Sequence, residues 1–260
     1  MTPYAHNLSP NQWTRIHDLV LEGAKPKEAM AASRSEPVPP VWPHPAAGLN
    51  WLWFTGLPPQ AAVVDLGSAV AEFSYYAAGY AASVLHVTSA PFAGLATSRL
   101  ASIPGANVST TTAYPAPLPP PHLVYFSGVG RWKDRVPIEL GNPSRLARWA
   151  VNLLHPGGWF VALLPNPFYR PQGSPEPLRR IASLRLKRGL LRVLKRCGFG
   201  QVRTYYLTGH PTRPTALVPA NPKAVGAFLT TLHGGPSLSI TLRGLTHLAQ
   251  FPSVLIMSER

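Results

Sequence analysis

The chain is short of acid. Ten Asp and Glu stand against 24 Lys and Arg in 260 residues, a net charge of +14 with histidine neutral. Such a balance excludes a self-neutralised surface and favours polyanions, whether nucleic acid, an anionic bilayer or an acidic protein. Composition does not choose among the three, and a codon bias toward Arg, Ala and Pro would add to the same excess. A single cysteine, Cys197, excludes an internal disulfide and a cysteine metal cluster, and its place in an apolar helical stretch reads as a core thiol. No run reaches the roughly 18 consecutive apolar residues of a membrane-spanning helix. The start, MTPYAHNLSPNQW, lacks the basic and apolar regions of a secretory signal. A cytoplasmic location is therefore expected, with peripheral membrane attachment compatible with the basic charge. No histidine takes metal-ligand spacing with another histidine or a carboxylate, so no metal is expected.

Proline, by contrast, is abundant. Its 31 residues accompany a 45% hydrophobic fraction, which points to rigid loops around a folded core and not to disorder. Ser9 to Glu22 reads as an amphipathic helix, with Ser9 as cap and Pro10 at the first helical position. Ser33 to Asn50, with five prolines, reads as an extended connector. Residues 1–50 thus form an N-terminal helix and proline-rich arm, and residues 51–260 form an α/β domain.

From Ala61 onward short apolar strands alternate with helical stretches. Strands are expected at Ala61–Leu66, Ser83–Thr88, Ala106–Thr110, His122–Ser127, Trp159–Leu164, Gln201–Leu207 and Ser253–Met257. Helices are expected at Ala71–Ala82, Ala93–Ser102, Ser144–Leu154, Pro177–Arg196 with a break at Gly189, and Pro222–Leu232. Fully apolar strands in this alternation predict a Rossmann-like, mostly parallel seven-stranded sheet with helices on both faces. Ligands in such sheets bind at the carboxyl ends of the strands, near the point where strand order reverses.

Three stretches carry a family likeness. VVDLGSAVAEFS from Val63 has the form of a strand, a small-residue turn and a helix; LPPPHLVYFSGVGRWKD from Leu118 holds the fourth strand; LLHPGGWFVALLPNP from Leu153 places a Pro-Gly turn before the fifth. In this order they resemble class I S-adenosylmethionine-dependent methyltransferases, of the methyltransferase type 11 kind. The resemblance covers about Ala61 to Pro167 and implies the Rossmann-like fold. It also implies a cofactor site at Asp65, Gly67, Ser68, Ala69, Thr88, Thr112, Ala113 and Ser127.

The departures from the family pattern fall in that same site. The second and third glycines of the loop are Ala69 and Ala71, with Val70 between them, where the backbone must approach the cofactor. At the end of the second strand the family's acid, which accepts the ribose hydroxyls, is replaced by Thr88; the acid that reads the adenine is replaced near Thr112. The aspartate that opens the fourth strand is His122. Losing two charged hydrogen bonds, each about 1.5–3 kcal/mol, would weaken the cofactor by roughly two to four powers of ten. Glu72, just after the loop, is a substitute acid or an ordinary first-turn helix residue.

Among the histidines, His210 in TGHPTRP stands where acceptor pockets form and is the one weak catalytic candidate, while His155 and His233 read as surface and helix-end residues. Asn166-Pro167-Phe168-Tyr169 resembles the NPPY signature but follows the fifth strand, not the fourth. The run Arg179 to Arg196 carries eight basic residues and reads as a solvated face or a grip on phosphates or an anionic membrane. Two functions are compatible with all this: a methyltransferase-like structural or regulatory subunit with a protein partner or larger assembly, and a divergent S-adenosylmethionine-dependent methyltransferase acting on a small molecule or envelope component.

Overall fold

The computed structural model describes residues 8–34, 49–103, 105, 107–113, 119–169, 177–210, 213–233, 251 and 253–260. Most of the expected proline-rich connector lies outside them.

Eight strands form one sheet. β1 is Ala62–Leu66, β2 Ser83–Val87, β3 Val108–Thr111, β4 Leu123–Ser127, β5 Trp159–Pro165, β6 Val202–His210, β7 Arg213–Pro219 and β8 Ser253–Glu259. Their order is β3-β2-β1-β4-β5-β8-β6-β7. β1 to β5 run parallel, β8 is antiparallel to β5 and to β6, and β7 turns back along β6. The α/β architecture expected from the alternation is present, with one strand more than the seven expected. The additional strand is β7. Its prolines, Pro214 and Pro219, argue against a central strand, but at a sheet edge no second neighbour needs the missing N–H.

Period-two burial divides the core into two layers. On one face, Val64, Leu66, Phe126, Phe160 and Leu164 pack with α5 (Pro143–Leu153), α6 (Pro177–Arg196) and α7 (Pro222–His233). On the other, Val63, Tyr125, Val161 and Leu163 pack with α3 (Glu72–Ala77) and a 3-10 turn at Asn50–Thr55. Helix α3 is shorter than expected and ends before Gly79, while α4 spans Ala90–Leu100. Helix α6 runs through Gly189 without a break. Gly189 faces Pro143 of α5, and the burial of Leu186, Leu190 and Leu194 outweighs the roughly 1 kcal/mol that a helical glycine costs.

At the N-terminus, α1 (Pro10–Glu22) begins with the reciprocal Ser9–Gln12 cap and ends at Gly23 in the left-handed region. It packs with α2 (Pro26–Arg34): Trp13, Ile16, Val20, Ala29 and Met30 form one cluster with Ala69, Val70 and Leu95. The N-terminal helices therefore bear directly on the loop that follows β1.

Candidate functional site

Strand order reverses between β1 and β4, and the segments leaving their carboxyl ends make the site. After β1 the chain turns at Gly67 (φ 70°), then passes through Val70 (φ 54°) and Ala71 (φ 51°) into α3. The left-handed positions are thus Val70 and Ala71, not Ala69. A β-branched residue there is a genuine outlier, and each such position stores about 1–3 kcal/mol unless its surroundings hold it. Val70 is held by packing, being 3% exposed against α1 and α2.

Asp65 has no exposed surface. Its Oδ2 accepts hydrogen bonds from the Ser68 and Ser74 hydroxyls, from the Ser74 N–H at 3.1 Å and from His86 Nδ1 at 3.0 Å, while Oδ1 accepts the Ser68 N–H. Parallel register places His86 of β2 beside Asp65, which explains how an apolar strand carries a buried histidine. The carboxylate binds the two ends of the turn together and fixes its shape.

On the β2 side, a segment after β4 lies across the turn. A Cβ at Gly67 would sit 2.6 Å from Val136 Cγ1, so glycine is required there for contact as well as for φ. Arg135 is 1% exposed; its Nε donates to the Gly67 carbonyl at 3.0 Å and its Nη2 to the Val129 carbonyl, while Nη1 has no partner among the described residues. Burial pulls the Arg135 guanidinium down to about 10, against the opposing pull of Tyr125, Asp134 and Asp65. The Thr88 hydroxyl donates to the Arg135 carbonyl at 2.9 Å, the Ser89 N–H donates to the same oxygen, and the Ser89 hydroxyl donates to the Asp134 carbonyl.

On the β4 and β5 side a cleft of about 540 Å³ opens. Helix α1 contributes His17, Asp18 and Leu21; the loop contributes Ser68, Ala69 and Glu72; Ser127 to Trp132, Leu163, Pro165 and Tyr169 complete most of the wall. His17 Nε2 lies 2.6 Å from Glu72, and its Nδ1 lies 3.3 Å from Asp18. Burial by itself would lower the His17 pKa, but the Glu72 charge and hydrogen bonds to Asp18 and Glu72 outweigh it, and it is raised to about 9. Helix α1 is thus fastened across the cleft by a charged pair. Arg99 reinforces it, lying buried between the Trp13 and Tyr75 rings at 5.7 and 5.1 Å. Tyr125 stacks on Phe73 at 3.8 Å, and burial, with the charges of Asp65 and Glu72, holds its phenol well above the usual range and hence protonated.

Of the residues singled out in the sequence, Ser68, Ala69 and Ser127 line this cleft. Asp65 and Gly67 lie beneath the turn, Thr88 is 1% exposed under Arg135, and Thr112 and Ala113 are exposed at the end of β3, away from the cleft lining. His210 closes the β6–β7 hairpin opposite Arg213 and is not among the lining residues. Glu72 does face the cleft, as the partner of His17. Asn166 is a turn former, with Nδ2 donating to the Phe251 carbonyl at 2.7 Å and Oδ1 accepting the Phe168 N–H. His17, Arg135 and Val136 had no sequence signal; their importance comes from contacts 55 or more residues away along the chain, and only the Asp-containing first strand and His-containing second strand hinted at a buried pair. Among the described residues no cluster of three metal-ligating side chains forms.

The solved structures of similar architecture are S-adenosylmethionine-dependent methyltransferases. One from Mesorhizobium loti is 19% identical, matched over 80% of this chain and 96% of its own, with a TM-score of 0.46. Precorrin-6y C5,15-methyltransferase of Geobacter metallireducens is 14% identical over 80% of this chain and 86% of its own, TM-score 0.45. Phosphoethanolamine N-methyltransferase 2 of Haemonchus contortus, solved with S-adenosyl-L-methionine, is 12% identical over 80% and 51%, TM-score 0.48. The superfamily whose architecture these chains represent is that of the class I methyltransferases; likeness at this identity extends to the fold and not to activity. No protein-family model and no curated protein matches the chain.

Proposed function

We propose that the chain is a methyltransferase-like protein with a degenerate S-adenosylmethionine site, serving as a non-catalytic structural or regulatory subunit of a larger assembly. One observation carries this reading: Arg135 and Val136 lie on Gly67 and Thr88, the positions that the family resemblance assigns to the cofactor's ribose. The Thr88 hydroxyl already donates within the chain, and no carboxylate replaces the ribose acceptor. The residues present therefore do not fit a ribose diol, and admitting one would require breaking the buried Arg135 contacts and leaving polar groups unpaired, at about 1–3 kcal/mol for each.

Isothermal calorimetry of the full chain with S-adenosylmethionine and S-adenosylhomocysteine tests the reading. No heat of binding at millimolar ligand is expected, and a micromolar dissociation constant would overturn it. The second reading, a divergent methyltransferase, draws on the 540 Å³ cleft beside Glu72 and the protonated His17, which is large enough for a small molecule. The same titration decides between the two.

A further inference from the structure

We propose that the outer surface of α5 and α6 binds the phosphate backbone of single-stranded nucleic acid. Helix α6 buries Leu186, Leu190 and Leu194 in the core, which turns Arg185, Arg188, Arg192, Lys195 and Arg196 to solvent. Steps of three and four residues keep these cations on one face, with successive charges about 5–6 Å apart along the axis. Helix α5 packs beside α6 in the same layer, with Pro143 against Gly189, and exposes Arg145 and Arg148 outward. Neither helix contains an acid, the nearest in sequence being Glu139 and Glu176. Among the described residues no carboxylate pairs with any of these seven cations. Lys187 is not part of the face, because it turns aside over the Tyr206 ring at 5.6 Å and burial lowers its pKa.

Two features favour a nucleic-acid strand over a bilayer. Six of the seven groups are guanidinium, whose planar fork matches phosphate oxygens in pairs. A bilayer would in addition require apolar side chains to insert beside the charges. The outward face from Arg185 to Arg196 has no large exposed apolar residue, and the exposed aromatic pair, Trp53 and Phe54, belongs to the turn packed on the opposite side of the sheet. The two cannot meet one membrane plane together.

Fluorescence anisotropy of the full chain with labelled 20-nucleotide RNA and DNA strands provides the test. The variant R185Q/R188Q/R192Q/R196Q is expected to bind about a hundredfold more weakly at 0.1 M salt, with the slope of log K against log salt smaller in magnitude by about 3. A control, R15Q/K25Q/K27Q/R34Q, removes the same charge from α1, α2 and the turn between them and should lose less than about fivefold; both sets are exposed, so melting should be unchanged. Equal losses in the two variants would reduce the effect to net charge and overturn the assignment. So would the absence of strand binding at about 100 µM protein in 0.1 M salt. Tighter retention on vesicles of 30% phosphatidylserine in phosphatidylcholine, lost in the first variant, would transfer the face to membranes.

Discussion

Asp65 illustrates how far a residue's role departs from its motif. The motif places it at the mouth of a cofactor site, but the chain surrounds it with donors from Ser68, Ser74 and His86 and leaves it no exposed surface. Replacing Asp65 with Asn puts an NH2 donor against donors already aimed at that oxygen, and should lower unfolding free energy by about 2–4 kcal/mol in urea titration. A loss below 0.5 kcal/mol would mean the network contributes nothing. Ala71 gives the opposite expectation. Its left-handed φ of 51° costs an L-residue about 1–2 kcal/mol, while glycine forfeits about 0.5–1 in unfolded-chain entropy, so Ala71→Gly should be neutral or stabilise by up to about 1 kcal/mol. Ala147→Gly in the middle of α5 should cost about 1 kcal/mol instead, and the contrast isolates backbone conformation from side-chain loss.

At the scale of elements, α1 was legible as a helix but its destination was not. Ser9, Pro10 and the spacing of Trp13, Ile16 and Val20 announce a capped amphipathic helix; which surface accepts it depended on Ala69, Val70 and Glu72, more than 50 residues on. The His17–Glu72 pair makes that docking pH-dependent. An imidazole raised from 6.5 to about 9 stabilises the fold fully below pH 6.5, and its contribution is lost as pH rises through about 9. Thermal unfolding should therefore weaken between those limits by no more than about 3 kcal/mol, and His17→Gln should flatten the dependence. An unchanged slope in that variant would assign the effect to other groups. Helix α6 and β7 show the same divide. A glycine suggested a break and two prolines hid a strand, because local propensity does not register a neighbouring helix at Pro143 or a position at the sheet edge.

At the scale of the whole molecule, the last strand is not peripheral. β8 lies between β5 and β6, pairs with both, and buries Val254, Leu255 and Ile256 completely. Removing residues 252–260 should abolish cooperative unfolding, as followed by near-ultraviolet circular dichroism. A truncated chain that still melts sharply near the parent temperature would contradict this sheet order.

Sequence by itself determined the α/β alternation, the parallel strands buried on both faces and the carboxyl-end location of the turn after β1, because each follows from local periodicity and turn chemistry. It also marked, at Thr88, the absence of the family's acid. Only the tertiary structure decided what replaced that acid. The approach of Arg135 and Val136 to Gly67 and Thr88, and the separation of Thr112 from the cleft, depend on contacts between residues distant along the chain, and neither hydrophobic period nor residue spacing encodes which distant segments will meet.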